Sequence, residues 1–133
     1  MKLSRPFLHT ARIAVAVLFW PVLAFVVWGE VLAPEDVPVI RDINDKILHI
    51  NAYFILAAMA AATLKKRRTA LAAGLGLILM GGVLEIVQGV IGRDMSIYDE
   101  LANAGGVILG GTLARIVIEP LLSRFDAWSN PEE

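Results

Sequence analysis

The chain has 133 residues, 57% of them hydrophobic and 19% charged, with a mean hydropathy of +0.67. A soluble domain this short could not bury so much apolar surface, because much of a small domain stays wet. A net charge of −1 leaves no basic footprint for nucleic acid, and the absence of cysteine excludes disulfides, thiolate zinc sites and thiol nucleophiles.

The apolar residues fall into runs close to the length of about 20 residues that a bilayer crossing requires. The first is predicted over 13–32, broken only by Pro21, where a kink is expected, and by Glu30 near its end. A signal peptide is disfavoured there, since the apolar stretch exceeds the usual 7–15 residues and no small-x-small cleavage site follows. Residues 34–45, PEDVPVIRDIND, carry two prolines and mixed charge and read as a loop. Further helices are predicted over 46–64, 70–91 and 101–118, with KKRRT as a tight connection between the second and third. Asp99 and Glu100 suit the positive end of the fourth helix dipole. The tail from Ser123 is polar and reads as frayed or interfacial. The expected fold is an all-α, four-transmembrane-helix bundle forming a single membrane domain over 1–133.

The basic residues orient it. With the N-terminus inside, Lys2, Arg5, Arg12, Lys65, Lys66, Arg67, Arg68, Arg115 and Arg124 lie on the inner side, against Arg41, Lys46 and Arg93 outside. Nine against three predicts N-in and C-in.

Polar residues fall on helix stripes that meet at the outer side. On the third helix Gly74, Ile78, Gly81, Glu85, Gln88 and Gly92 alternate in spacing between four and three, which keeps them on one face. On the fourth the stripe is Asp99, Asn103, Gly106 and Gly110; on the second it is Asp45, His49, Ala52 and Leu56, flanked by Lys46 and Tyr53. At 1.5 Å per residue, Glu85 sits roughly 9 Å below the outer boundary, and His49 and Asn103 about 3–5 Å. The polar groups therefore form one layer rather than a wire through the bilayer, which argues against a channel. An acid at a helix centre costs about 2.5–3.5 kcal/mol on insertion scales, so Glu85 needs a partner, a proton or a water-filled pocket; His49, Lys46 and Arg93 are the candidate partners.

Several functions fit this layer. Lys46 and Arg93 could hold negative charge beside the acceptors Glu85, Gln88, Asp99 and Asn103, as in a site for an anionic lipid-linked molecule. The same two cations could instead be salt-bridged to Asp45, Asp94 or Asp99. His49, oriented by Asp45 or Glu85, could be a general base, with Glu85 as an acid; Ser96 and Tyr98 are the only loop hydroxyls nearby. His49, Glu85, Asp99 and Asp45 offer one nitrogen and several oxygens to a metal, but a single His and no HExxH pattern give no metal assignment. Glycine faces could also serve a non-catalytic scaffold. Membrane lipids are the expected partners; no cofactor, metal or nucleic acid is implied, and the oligomeric state is open.

Taken together, Asp45-Lys46-x-x-His49, Glu85-x-x-Gln88, Arg93, Asp99-x-x-x-Asn103 and Gly105-Gly106 resemble the VanZ-like family of small bacterial membrane proteins. The likeness covers about 45–111, and the order and spacing of the motifs across three segments carry it. The loop GVIG before Arg93 lacks the proline often found there in the family. The resemblance implies a multi-pass protein of the bacterial inner (cytoplasmic) membrane with a role in the cell envelope; the polar layer itself sets the expected ligand site at Asp45, Lys46, His49, Glu85, Gln88, Arg93, Asp99 and Asn103. It does not imply antibiotic resistance, and the family's biochemical activity is unsettled.

Overall fold

The computed structural model describes residues 6–32 and 44–129. Most of the predicted 34–45 loop, with Arg41, lies outside them, as do Lys2 and Arg5. The described residues form α1 (Pro6–Val31), α2 (Asp45–Thr63), α3 (Arg67–Val90) and α4 (Ile97–Leu113), a π-helical turn (Ala114–Ile118) and α5 (Glu119–Ser129). Among them four helical stretches are long and apolar enough to cross a membrane: His9–Val31, Asp45–Thr63, Arg67–Val90 and Ile97–Arg124. This is the all-α bundle expected from the sequence.

The helix ends depart from the apolar runs where polar residues can still coil. Pro6 opens α1, a position where a missing N–H costs nothing, and the helix continues through Pro21. α3 begins at Arg67, because lysine and arginine are good helix formers whatever their polarity. The expected end of the fourth helix at 118 is corrected: the chain stays helical to Ser129. Pro120 explains how. It has no N–H to give the carbonyl four residues back, and its ring would press on that carbonyl. The preceding turn widens, the Glu119 N–H bonding the Ala114 carbonyl five residues back, and the helix passes the proline without breaking.

Lipid tails give little hydrophobic drive for helices to associate, so close packing must supply it. α2 and α4 meet most closely. A Cβ on Gly106 would fall on the Ile50 carbonyl oxygen, and one on Gly110 on the Phe54 carbonyl oxygen. Only glycine lets the two backbones approach this far. Beside that seam Tyr53, Leu56, Ala57, Leu77 and Val107 form the buried core, and α1 lays Phe19, Val22, Leu23 and Val26 against it.

Two arginines tie helix ends to neighbouring helices. At one end of the bundle Arg115 donates to the Leu64 and Lys65 carbonyls that close α2, while Arg12 of α1 lies 3.8 Å from Glu119. At the opposite end Arg93 donates to the Glu30 and Leu32 carbonyls that close α1. Helix C-termini leave orphan carbonyls, which are costly near hydrocarbon.

Candidate functional site

The Arg93 end collects the C-termini of α1 and α3 and the N-termini of α2 and α4. α3 closes on Gly92, in the left-handed region at φ 89°, with the Arg93 N–H bonded 2.9 Å to the Gln88 carbonyl. This is a Schellman turn, which glycine permits, and the chain then turns into α4. Around it His49, Glu85, Gln88, Asp99 and Asn103 are all buried, on three helices as the stripes predicted. Asp45 and Lys46 lie at the mouth, with side chains about half exposed.

The pairings differ from those expected. Glu85 Oε2 accepts from the Ser96 backbone N–H at 2.9 Å, so its partner is the start of α4 rather than His49, Lys46 or Arg93. Gln88 Nε2 donates 2.8 Å to the Glu30 carbonyl, beside Arg93. The guanidinium of Arg93 is thus committed to the end of α1, not to the carboxylates proposed as its salt-bridge partners. Lys46 Nζ stands 3.4 Å from Asp99 Oδ1, the pairing that the sequence offered as one alternative.

His49 is oriented mainly by Asn103. Its Nδ1 is 2.8 Å from Asn103 Oδ1, and the Asn103 amide nitrogen donates 3.3 Å to Glu100 Oε2. Because the amide N–H₂ faces Glu100, its oxygen must face His49, which assigns the proton to Nδ1. In the neutral ring Nε2 then carries the lone pair, 3.9 Å from Asp45 Oδ1. Asp45 faces that nitrogen but is too distant for a hydrogen bond.

Glu30, Tyr53 and Glu100 belong to the same cluster. Glu30 Oε1 lies 3.6 Å from His49 Nδ1, and the fully buried Tyr53 hydroxyl donates 3.4 Å to Glu30 Oε2. An acid at the end of the first apolar run, at the same bundle end as the three polar stripes, was the signal available for Glu30. Gly81 makes room for the cluster: a Cβ there would stand 2.7 Å from Glu100 Oε2 and 2.8 Å from Asn103 Nδ2.

Among the described residues, three enclosed carboxylate oxygens have no hydrogen-bond partner: Glu30 Oε1, Glu85 Oε1 and Asp99 Oδ1. Buried acceptors rarely go unpaired. The site is therefore rich in acids, with spare acceptor capacity inside and a half-exposed lysine at its mouth.

No family model, curated protein or solved structure matches the chain.

Proposed function

We propose that the chain is a VanZ-like protein of the bacterial inner membrane, oriented N-in and C-in, and that its polar site receives a lipid-linked cell-envelope ligand from the outer leaflet. The observation that carries this reading is the pair of buried oxygens Glu30 Oε1 and Glu85 Oε1, which have no hydrogen-bond partner among the described residues. Glu30 sits in the last turn of α1, where the dipole disfavours negative charge, and Glu85, held through one oxygen at the start of α4, keeps its other oxygen enclosed. The two oxygens are acceptors awaiting donors, and the hydroxyls or amides of an envelope precursor supply these. Among the described residues Lys46 at the mouth is the cation a ligand phosphate can reach, since Arg93 is committed to backbone carbonyls. The exposed apolar side chains of Met95, Ile97 and Tyr98 beside the site suit a ligand whose tail stays in the lipid.

A second reading, acid–base chemistry on a lipid-borne substrate, draws on the relay from Glu100 through Asn103 to His49. That relay leaves Nε2 as a base facing the mouth. In this reading Glu85 acts apart from His49, as no His49–Glu85 pair within 4 Å occurs among the described residues.

Native mass spectrometry of protein extracted from bacterial membranes into lipid discs tests the first reading. The wild type is expected to retain polyprenyl phosphate species that Glu30→Leu and Glu85→Leu lose, with bulk phospholipid retention equal in all three. Retention no greater than that of an unrelated four-helix membrane protein would overturn it.

A further inference from the structure

The mouth of the site holds a second arrangement, distinct from Glu30 and Glu85. Asp45, His49 and Asp99 each offer a ligand atom, and these atoms all lie within 4.8 Å of one another. We propose that they form a binding site for a divalent first-row metal ion, with His49 Nε2 and one oxygen from each aspartate as its protein ligands.

Three independent features support it. The first is the histidine tautomer. Metal binding needs a neutral imidazole with one free nitrogen, and ligating histidines commonly give their other N–H to a fixed acceptor. Asn103 Oδ1 is that acceptor, at 2.8 Å from Nδ1, and Glu100 fixes the amide in turn. The second is Asp99. It is 5% exposed, and among the described residues its Oδ1 has no hydrogen-bond donor. Lys46 stands at 3.4 Å without hydrogen-bonding geometry, so that enclosed oxygen has a lone pair to give to an ion held between it, His49 and Asp45. The third is placement. Asp45 and His49 are four residues apart and share one face of α2, while Asp99 comes from the first turn of α4. A metal at ordinary bond lengths sets tetrahedral ligand atoms about 3.4 Å apart. Rotation of the half-exposed Asp45 side chain closes the remaining gap.

One imidazole and two carboxylates suit Zn²⁺, Mn²⁺ or Co²⁺, and three protein ligands leave positions open, as in metal sites that bind a substrate. Lys46 is the built-in competitor. Its half-exposed ammonium must swing aside when the ion enters, and its charge then opposes the ion. The inference stands on atoms other than Glu30 and Glu85, so it holds or fails independently of the lipid-linked ligand.

The experiment is a titration of tag-free, chelator-stripped full-length protein in detergent with Co²⁺, read by visible absorption, and with Zn²⁺, read by calorimetry. Saturable one-to-one binding is expected, with ligand-field bands in the Co²⁺ form. Asp45→Asn, at a half-exposed position that leaves the fold intact, is expected to weaken binding at least about tenfold, by comparison with the 10–100-fold typical of outer-shell losses. Lys46→Gln is expected to tighten binding at least about fivefold, the effect of one unit charge near 4 Å even at the dielectric of water. A purely structural triad would not gain affinity when its ion pair is removed. Absence of saturable binding, or affinities in Asp45→Asn and Lys46→Gln equal to wild type, would overturn the proposal.

Discussion

Replacing Arg93 by alanine separates a ligand-holding arginine from one that closes a helix. Arg93 donates to the carbonyls of Glu30 and Leu32, the last acceptors of α1. Gln88 also serves the Glu30 carbonyl, at 2.8 Å, so the substitution leaves that group partly satisfied and strips the Leu32 carbonyl. A charge-assisted hydrogen bond contributes about 1.5–3 kcal/mol, and an orphaned acceptor costs about 1–3 kcal/mol. With Gln88 compensating at Glu30, the expected destabilisation is about 2–4 kcal/mol. Arg93→Lys keeps a positive charge at the negative end of α1 but cannot span both carbonyls, so it recovers only part of the loss. Reversible unfolding in mixed micelles, titrated with denaturing detergent, measures both. An Arg93→Ala protein within about 0.5 kcal/mol of wild type, the range of an inert surface change, would refute the capping argument.

Gly110→Val is expected to separate α2 from α4, because its first side-chain carbon already falls on the Phe54 backbone; interhelix distances from paired spin labels should lengthen, and stability should drop by more than the 1–3 kcal/mol typical of overpacking. Gly81→Ala drives a methyl against Glu100 and Asn103 and should cost about 1–3 kcal/mol in the same unfolding assay. Tyr53→Phe removes one 3.4 Å hydrogen bond to Glu30 and no packing volume, so a loss of about 0.5–1.5 kcal/mol is expected.

The stripes were legible because helical spacing alone decides which residues share a face. His49, Leu56, Gly81, Glu85, Gln88, Asp99, Asn103, Gly106 and Gly110 are all buried. Apart from the Lys46–Asp99 ion pair, which the sequence offered as one alternative, the partners were not legible. Sequence spacing shows side chains but not the direction of orphan carbonyls, so Arg93 read as an anion holder when its nearest acceptors are the backbone end of α1. Glu85 was matched with cations for the same reason, although a backbone N–H at the start of α4 satisfies one of its oxygens. Glu30 was passed over because a lone acid at the edge of an apolar run reads as an interruption. Helix ends slipped where the apolar run ended before the helix did: Arg67 and Arg68 extend α3, and Pro120 is absorbed by a π turn.

The acids at this end of the bundle fall into two groups with different physical origins. Asp45, Asp99 and Glu100 occupy the first turns of α2 and α4, where the N–H ends of the dipoles stabilise negative charge. Their presence needs no ligand, although their convergence on His49 makes one possible. Glu30 lies in the last turn of α1, where the dipole opposes it, while Glu85 lies more than a turn inside α3 and bonds the start of α4 through one oxygen. Each still keeps one enclosed oxygen without a donor among the described residues. Packing alone would be served as well by leucine, which removes the desolvation penalty altogether. In the reading proposed above, the remaining acceptors of both buried acids are completed by a ligand. Stability measurements on Glu30→Leu and Glu85→Leu bear on this directly: each is expected to equal or exceed wild type in the absence of ligand, with Glu85→Leu gaining less because it releases the Ser96 N–H. A loss of several kcal/mol in both would make the pair structural and remove the reason for a ligand.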